Sequence, residues 1–304
     1  RRSRLRPAAG LRRHASCGLD CAAVSSPRPV AHLLELLALE ALDRDLFLGA
    51  TPRGEGRLFG GLVAAQAVTA ASLTLPEEAG ALHSLHAYFL RPGHHDVPIR
   101  FVVDRIRDGR SFTTRRVVAH QRGEAIFNLS ASYARPEAGI AHRDPTEAPD
   151  PESLEPWEQL HAGRVDAAMA RRRRADAIEV RLCDPDDPEG ELQPAFKRVW
   201  LRTRGPLPED PRVHEAVLVY ASDRTLAGTA SRPHAIPWSR RMVASLDHAM
   251  WIHRTPRLDE WVLYVSESPA AHAARGLVLG ALYHRREGRF ASVAQEALVR
   301  ERRG

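Results

Sequence analysis

The sequence predicts an α+β protein made of two tandem copies of one unit, each a helix followed by an antiparallel meander. Three observations predict it. A small-residue helical stretch is followed by four strand-like runs separated by turn residues. After a proline-rich interval the same order of elements returns. Short motifs recur at matching places: His86-Ala87-Tyr88-Phe89 resembles His248-Ala249-Met250-Trp251, and Gln121-Arg122-Gly123-Glu124 resembles Arg286-Glu287-Gly288-Arg289. No βαβ alternation occurs, so a parallel sheet is not expected.

Taken in order, residues 1–28 form a basic tail with six arginines between Arg1 and Arg13 and no acid before Asp20. Such a tail is expected to be disordered, and it lacks the apolar core of a secretory signal. The first unit covers 29–137. His32 to Leu42 reads as an amphipathic helix, and Leu46 to Thr51 as a short strand. Phe59-Gly60-Gly61 opens an alanine-rich helix reaching about Leu73, whose small side chains allow a sheet to wrap closely around it. Strands follow at Leu82–Leu90, Ile99–Arg107, Phe112–Gln121 and Ala125–Tyr133, broken by Arg91-Pro92-Gly93, Asp108-Gly109 and Arg122-Gly123. Residues 138–177 change character, with Pro145, Pro149, Pro151 and Pro156 among acids and then the run Arg171 to Arg174. They read as a linker with one helix near Leu160 to Arg172. The second unit, 178–304, is expected to hold strands at Ile178–Leu182 and Phe196–Arg204 and a helix from Arg212 to about Thr225. Four further strands complete it, at Met242–His253, Trp261–Ser268, Ala273–His284 and Phe290–Val299.

Composition narrows the function classes. The chain is 43% hydrophobic and 27% charged, as globular proteins are. It has no apolar run of the roughly 18 residues that a helical membrane span needs. The net charge of +6 raises nucleic acid as a partner. Beyond the tail and the second arginine run, however, charges are mixed in sign, which argues against that partner and leaves a surface attractive to anionic small molecules. Cys17, Cys21 and Cys183 give no disulfide framework and no metal-ligand spacing, so a reduced, cytoplasmic setting without metal is expected.

Several longer motifs carry a family resemblance. They are Phe59-Gly60-Gly61, the run His83-Ser84-Leu85-His86-Ala87-Tyr88-Phe89-Leu90-Arg91-Pro92-Gly93, and Arg107-Asp108-Gly109-Arg110-Ser111-Phe112. The second half adds Tyr220-Ala221-Ser222-Asp223, Ser245-Leu246-Asp247-His248-Ala249-Met250-Trp251 and Gln295-Glu296. On these, from about Leu34 to Arg300, the chain resembles the acyl-CoA thioesterase II family. The resemblance implies a tandem double hot-dog, each unit a long helix wrapped by a curved antiparallel sheet. It also implies an acyl-CoA substrate, direct attack by water, no cofactor beyond the coenzyme A of the substrate, and a homo-oligomer. The family's hydrolytic aspartate, hydroxyl and glutamine fall on Asp223, Ser245 and Gln295.

These residue types suit thioester hydrolysis, which needs an oriented water, a proton acceptor and donors for a developing oxyanion. Each also has a plain structural reading: Asp223 as a helix cap, Ser245 and Gln295 as groups satisfying their neighbours. Matching the two halves puts His83 opposite Ser245, Ser130 opposite Gln295 and, more loosely, Thr69 opposite Asp223, so only the second unit is expected to hold the full set. Asp247 and His248 are adjacent on a strand and face opposite sides, which favours a structural role for His248. No Gly-x-Ser-x-Gly elbow is present, and nothing near Cys183 marks it as activated. The competing readings are an acyl-CoA-binding protein and a hydratase-type hot-dog protein.

Overall fold

The computed structural model describes residues 28–142 and 144–302; the arginine-rich segment before them, with Cys17 and Cys21, lies outside the described residues. Helix α1 (Arg28–Leu37) buries Val30, Leu33, Leu36 and Leu37 along one stripe. It stops short of the expected Leu42 because Glu40–Asp43 pairs as β1 with β2 (Leu46–Gly49), around a turn in which the Arg44 N–H donates to Asp43 Oδ1 at 2.7 Å. Ladder hydrogen bonds here outcompete the helical period.

Helix α2 (Gly60–Ser72) is buried at every residue from Gly61 to Ala71. A helix apolar all round belongs in a core, and its alanines let neighbours approach from every side. Its one amide, Gln66, donates to Leu36 O at 2.6 Å and Ala50 O at 2.8 Å, which ties the ends of α1 and β2 to it. The first meander is β3 (Ala81–Phe89), β4 (Ile99–Asp108), β5 (Phe112–Gln121) and β6 (Glu124–Ala134). Its last hairpin turns at Arg122 and Gly123, both with positive φ, a conformation that glycine adopts freely.

The proline-rich interval contains two short helices, α3 (Trp157–Leu160) and α4 (Ala167–Arg174). The single helix expected there is broken at Gly163, where φ is 75°, and Asp166 restarts it by accepting the Met169 N–H at 2.7 Å. This segment covers the outer face of the second unit's strands. Trp200 donates to Pro149 O at 2.9 Å, Trp261 to Glu152 at 2.8 Å, and both rings pack with Leu263, Ala281 and Tyr283 in a separate apolar cluster.

The second unit comprises β7 (Ile178–Leu182), β8 (Phe196–Thr203), α5 (Pro211–Ser222), β9 (Arg241–Ser245), β10 (Asp247–Ile252), β11 (Val262–His272), β12 (Arg275–His284) and β13 (Gly288–Glu301). Asp210 caps α5 by accepting from the Arg212 N–H, and Pro211 occupies its first turn. The expected strand from Met242 to His253 is interrupted at Leu246, between β9 and β10.

All strands belong to one sheet in the order β1-β2-β4-β5-β6-β3-β10-β13-β12-β11-β8-β7, with β9 paired to β13. The halves β2-β4-β5-β6-β3 and β10-β13-β12-β11-β8 repeat one order about the β3–β10 seam, which is the duplicated architecture that the resemblance implies. The two central helices touch across the seam. A side chain at Gly61 would come within 2.7 Å of Tyr220 O, so glycine there permits the close approach.

Candidate active site

Three elements deliver the sequence-predicted residues to one point. Helix α5 ends with Ser222, whose hydroxyl bonds back to Val219 O at 3.0 Å, and Asp223 is its C-cap at φ −78°. Gln295 is fully buried in the middle of β13. Ser245 is the last residue of β9.

Pairing along β13 explains how Ser245 is aimed. Ser245 lies opposite Ala297 and Ala249 opposite Ala294, so three residues on one strand face two on the other. That extra residue is a β-bulge, which bends the strand and reverses the side-chain alternation past it. It is pinned by Asp247, whose Oδ1 accepts the Glu296 N–H at 2.6 Å, and by the Leu246 N–H, which donates to Glu296 O at 2.9 Å. Both Ser245 and His248 consequently reach Gln295.

The result is a continuous hydrogen-bonded chain. Ser245 Oγ donates to Asp223 Oδ1 at 2.9 Å, and Gln295 Nε2 donates to Ser245 Oγ at 2.7 Å. Because the amide N–H is used there, Gln295 Oε1 is the acceptor facing His248, whose Nδ1 carries the proton of a 2.5 Å contact. His248 Nε2 then meets Ser222 Oγ at 3.0 Å, and Tyr264 fixes the Ser222 carbonyl at 3.1 Å.

Burial pushes the Asp223 carboxyl above the ordinary aspartate range, against the charge of His248 and hydrogen bonds from Ser245, Gln295 and the Gly61 N–H. The Gly61 contact matters because the N-terminus of α2, its positive end, points at the carboxylate. A side chain at Gly60 would collide with Phe89 at 2.7 Å and press on Asp223 Oδ2 at 3.0 Å, so glycine keeps the space open. Asp223 and Ser245 line a cavity of about 390 Å³ whose walls include Phe59, Phe89, Pro92 and Phe127, with Arg57 and Arg91 also lining it. A largely apolar cavity with a few convergent polar groups is the usual form of a small-molecule site.

Sequence reasoning gave His248 a structural role only and gave Ser222 none. The Ser245-Leu246-Asp247-His248 run holds the signal, but an unbroken strand puts Ser245 and His248 on opposite faces, and only the bulge unites them. The first unit lacks the constellation. The strand registers correct two of the matched positions: Leu82 opposite Tyr133 answers to Ser245 opposite Ala297, and Leu85 opposite Ala131 answers to His248 facing Gln295. His86 and Ser130 are exposed, and His83 bonds Ser132 at 2.8 Å. The counterpart of Asp223 is corrected from Thr69 to Leu73: Ala71-Ser72-Leu73 ends α2 as Ala221-Ser222-Asp223 ends α5, each with the third residue as cap. Cys183 is half-buried, and burial raises its thiol to about 11, the opposite of activation. Among the described residues no cluster of His, Cys, Asp and Glu is suited to a metal, and no helix is long and apolar enough to cross a membrane.

Comparison with known proteins gives consistent matches over both units. Residues 49–134 match the family described as acyl-CoA thioesterase N-terminal domain, and residues 175–298 the family described as acyl-CoA thioesterase. The chain is 38% identical to acyl-coenzyme A thioesterase 8 of Mus musculus, over 87% of this chain and 88% of that protein. It is 34% identical to acyl-CoA thioesterase 2 of Haemophilus influenzae, over 88% and 97%. The crystal structure of the acyl-CoA thioesterase II TesB2 from Mycobacterium marinum superposes with a TM-score of 0.74 at 38% identity, covering 88% of this chain and 98% of that one. With the tandem fold and this degree of likeness to its members, the chain belongs to the acyl-CoA thioesterase II family of double hot-dog proteins.

Proposed function

We propose that the chain hydrolyses acyl-CoA to a free carboxylic acid and coenzyme A, with water as the attacking group. The observation that carries this reading is the Asp223–Ser245–Gln295 chain at the wall of an apolar cavity. In this mechanism the thioester carbonyl lies beside Ser245 and the start of α2. A water held by Ser245 Oγ and the Gln295 amide gives its proton to Asp223 as its oxygen bonds to the carbonyl carbon. A carboxyl group whose basicity is raised by burial is a stronger proton acceptor than one at the surface. Negative charge growing on the thioester oxygen meets the positive end of α2. Collapse expels the thiolate of coenzyme A, which takes up a proton.

His248 acts here as a positioning residue. By donating to Gln295 Oε1 it fixes which end of the amide faces Ser245 and the water.

Thiol release from acyl-CoA esters of graded chain length tests the reading. Steady turnover by the wild type is expected, with Ser245→Thr active and Ser245→Ala slowed by about a hundredfold. Absence of thiol release with every chain length would overturn it in favour of an acyl-CoA-binding protein. An acyl group trapped on Ser245 would overturn direct attack by water.

A further inference from the structure

A second cavity, of about 330 Å³, adjoins the first: Ala227 and Val243 line both. Its charged lining is unusual for a space next to an apolar cleft. Arg173, Lys197, Arg224 and Arg241 face it, against one carboxylate, Asp186. That carboxylate is already divided between Lys197 and Arg232, and Arg224 is paired with Asp176 outside the lining. Arg173 and Arg241 form no ion pair among the described residues. Arg173 lies over the Trp157 ring at 4.8 Å, while Arg241 donates to Ser231 Oγ at 2.8 Å and lies 5.5 Å from the Trp238 ring.

Positive charge therefore exceeds negative in a desolvated space. Burial lowers the proton affinity of all four cations, which is the sign of charge held away from both water and sufficient counter-charge. Arg224 is nine-tenths buried, and its Nε has no hydrogen-bond partner. A buried guanidinium N–H left unpaired is costly, and an anionic oxygen in the cavity removes that cost. Lys197, the sole lysine of the chain, contributes to the same wall from β8.

Position supplies the link to the substrate. Arg224 and Thr225 follow Asp223 directly, and Val243 stands two residues before Ser245 on the same strand. A thioester with its carbonyl at Asp223 and Ser245 thus has one arm directed past Ala227 and Val243. We propose that this cavity is an anion subsite, in which Arg173, Arg224 and Arg241, around the Lys197–Asp186 pair, hold a phosphate or carboxylate carried by one arm of the thioester substrate. The proposal rests on the thioesterase reading of the neighbouring cleft. Two sources offer that chemistry: the phosphates of coenzyme A, and a carboxylate at the far end of the acyl chain.

The test compares octanoyl-CoA, suberyl-CoA and octanoyl-pantetheine as substrates of the wild type, Arg173→Gln and Arg241→Gln. If the subsite takes coenzyme A phosphate, both variants raise KM for the two CoA esters by about tenfold and leave the phosphate-free ester unchanged. If it takes the acyl carboxylate, KM rises for suberyl-CoA alone. Values within about twofold for every substrate, or an equal change for all three, would overturn the proposal. A wild type that hydrolyses none of the three overturns the thioesterase reading, and binding then decides the subsite by itself. Emission from Trp157 and Trp238 is titrated with coenzyme A and with suberate. Saturable binding that weakens about tenfold in both variants supports the site; no saturable change, or unchanged affinity, rejects it.

Discussion

The two units of this protein are one scaffold used twice, and their differences separate what folds the chain from what its site requires. Both have a buried helix ending in Ala-Ser plus a cap residue. Both have an inner strand with a register shift near its start, between Leu82 and Ser84 in one and around Leu246 in the other. Both place a buried residue of the inner strand opposite the middle of the last strand, Leu85 facing Ala131 in one and His248 facing Gln295 in the other. The register shift and the cap position are thus parts of the common framework. What changes is the chemistry placed on it: Leu73 against Asp223, Leu82 against Ser245, Leu85 against His248 and Ala131 against Gln295. The first unit is not idle at the site, since Phe59, Gly60, Phe89 and Phe127 wall the cavity and the positive end of α2 faces the acid. One unit supplies the polar chain and the other supplies much of the apolar wall and a helix terminus.

Exchanging counterpart residues breaks the comparison most strongly. Gln295→Ala, which installs the residue of the first unit, is expected to lower kcat by about a hundredfold, whereas the exposed Ser130 tolerates alanine within about twofold. Equal losses in steady-state thiol release would mean that both units contribute chemistry. A smaller effect is expected at His248. His248→Leu frees the Gln295 amide to turn and lowers kcat by about tenfold with KM little changed. His248→Asn keeps a donor near the position of Nδ1 and restores most of that loss. Failure of asparagine to do better than leucine would assign His248 to packing alone. The smallest effect concerns pH. Asp223 accepts the proton only when ionised, and burial raises its pKa. The kcat profile should therefore fall on the acid side at a pH above the ordinary aspartate range, and a fall only within that range would remove Asp223 as the base.

Much of this was legible in the sequence for identifiable reasons. Turn residues and alternation located the strands, and the duplicated order made each unit support the other. The motifs around Asp223, Ser245 and Gln295 identified residues that lie far apart in the chain and meet in the structure. The remainder depended on long-range pairing. Helix α1 ends at Leu37 because β1 finds a partner in β2, which helical periodicity does not anticipate. The linker helix divides at a glycine with positive φ, and its first part stacks Trp157 and His161 on Trp238 of another segment. His248 joined the chain because one extra residue between Ser245 and Ala249 reverses the facing of the strand. Such a bulge is defined by its partner strand and has no local signature. The cationic cavity has no sequence signature for a similar reason: Arg173, Lys197, Arg224 and Arg241 come from four separate parts of the chain, and each alone is an ordinary basic residue.

The central claim is that proton transfer belongs to the second unit through Asp223. Steady-state thiol release by Asp223→Asn, with folding checked by circular dichroism, tests it most directly. The expected result is a loss in kcat of about a hundredfold or more in a folded protein, since asparagine still accepts from Ser245 but takes no proton from water. Turnover at the wild-type rate in that variant would contradict the account.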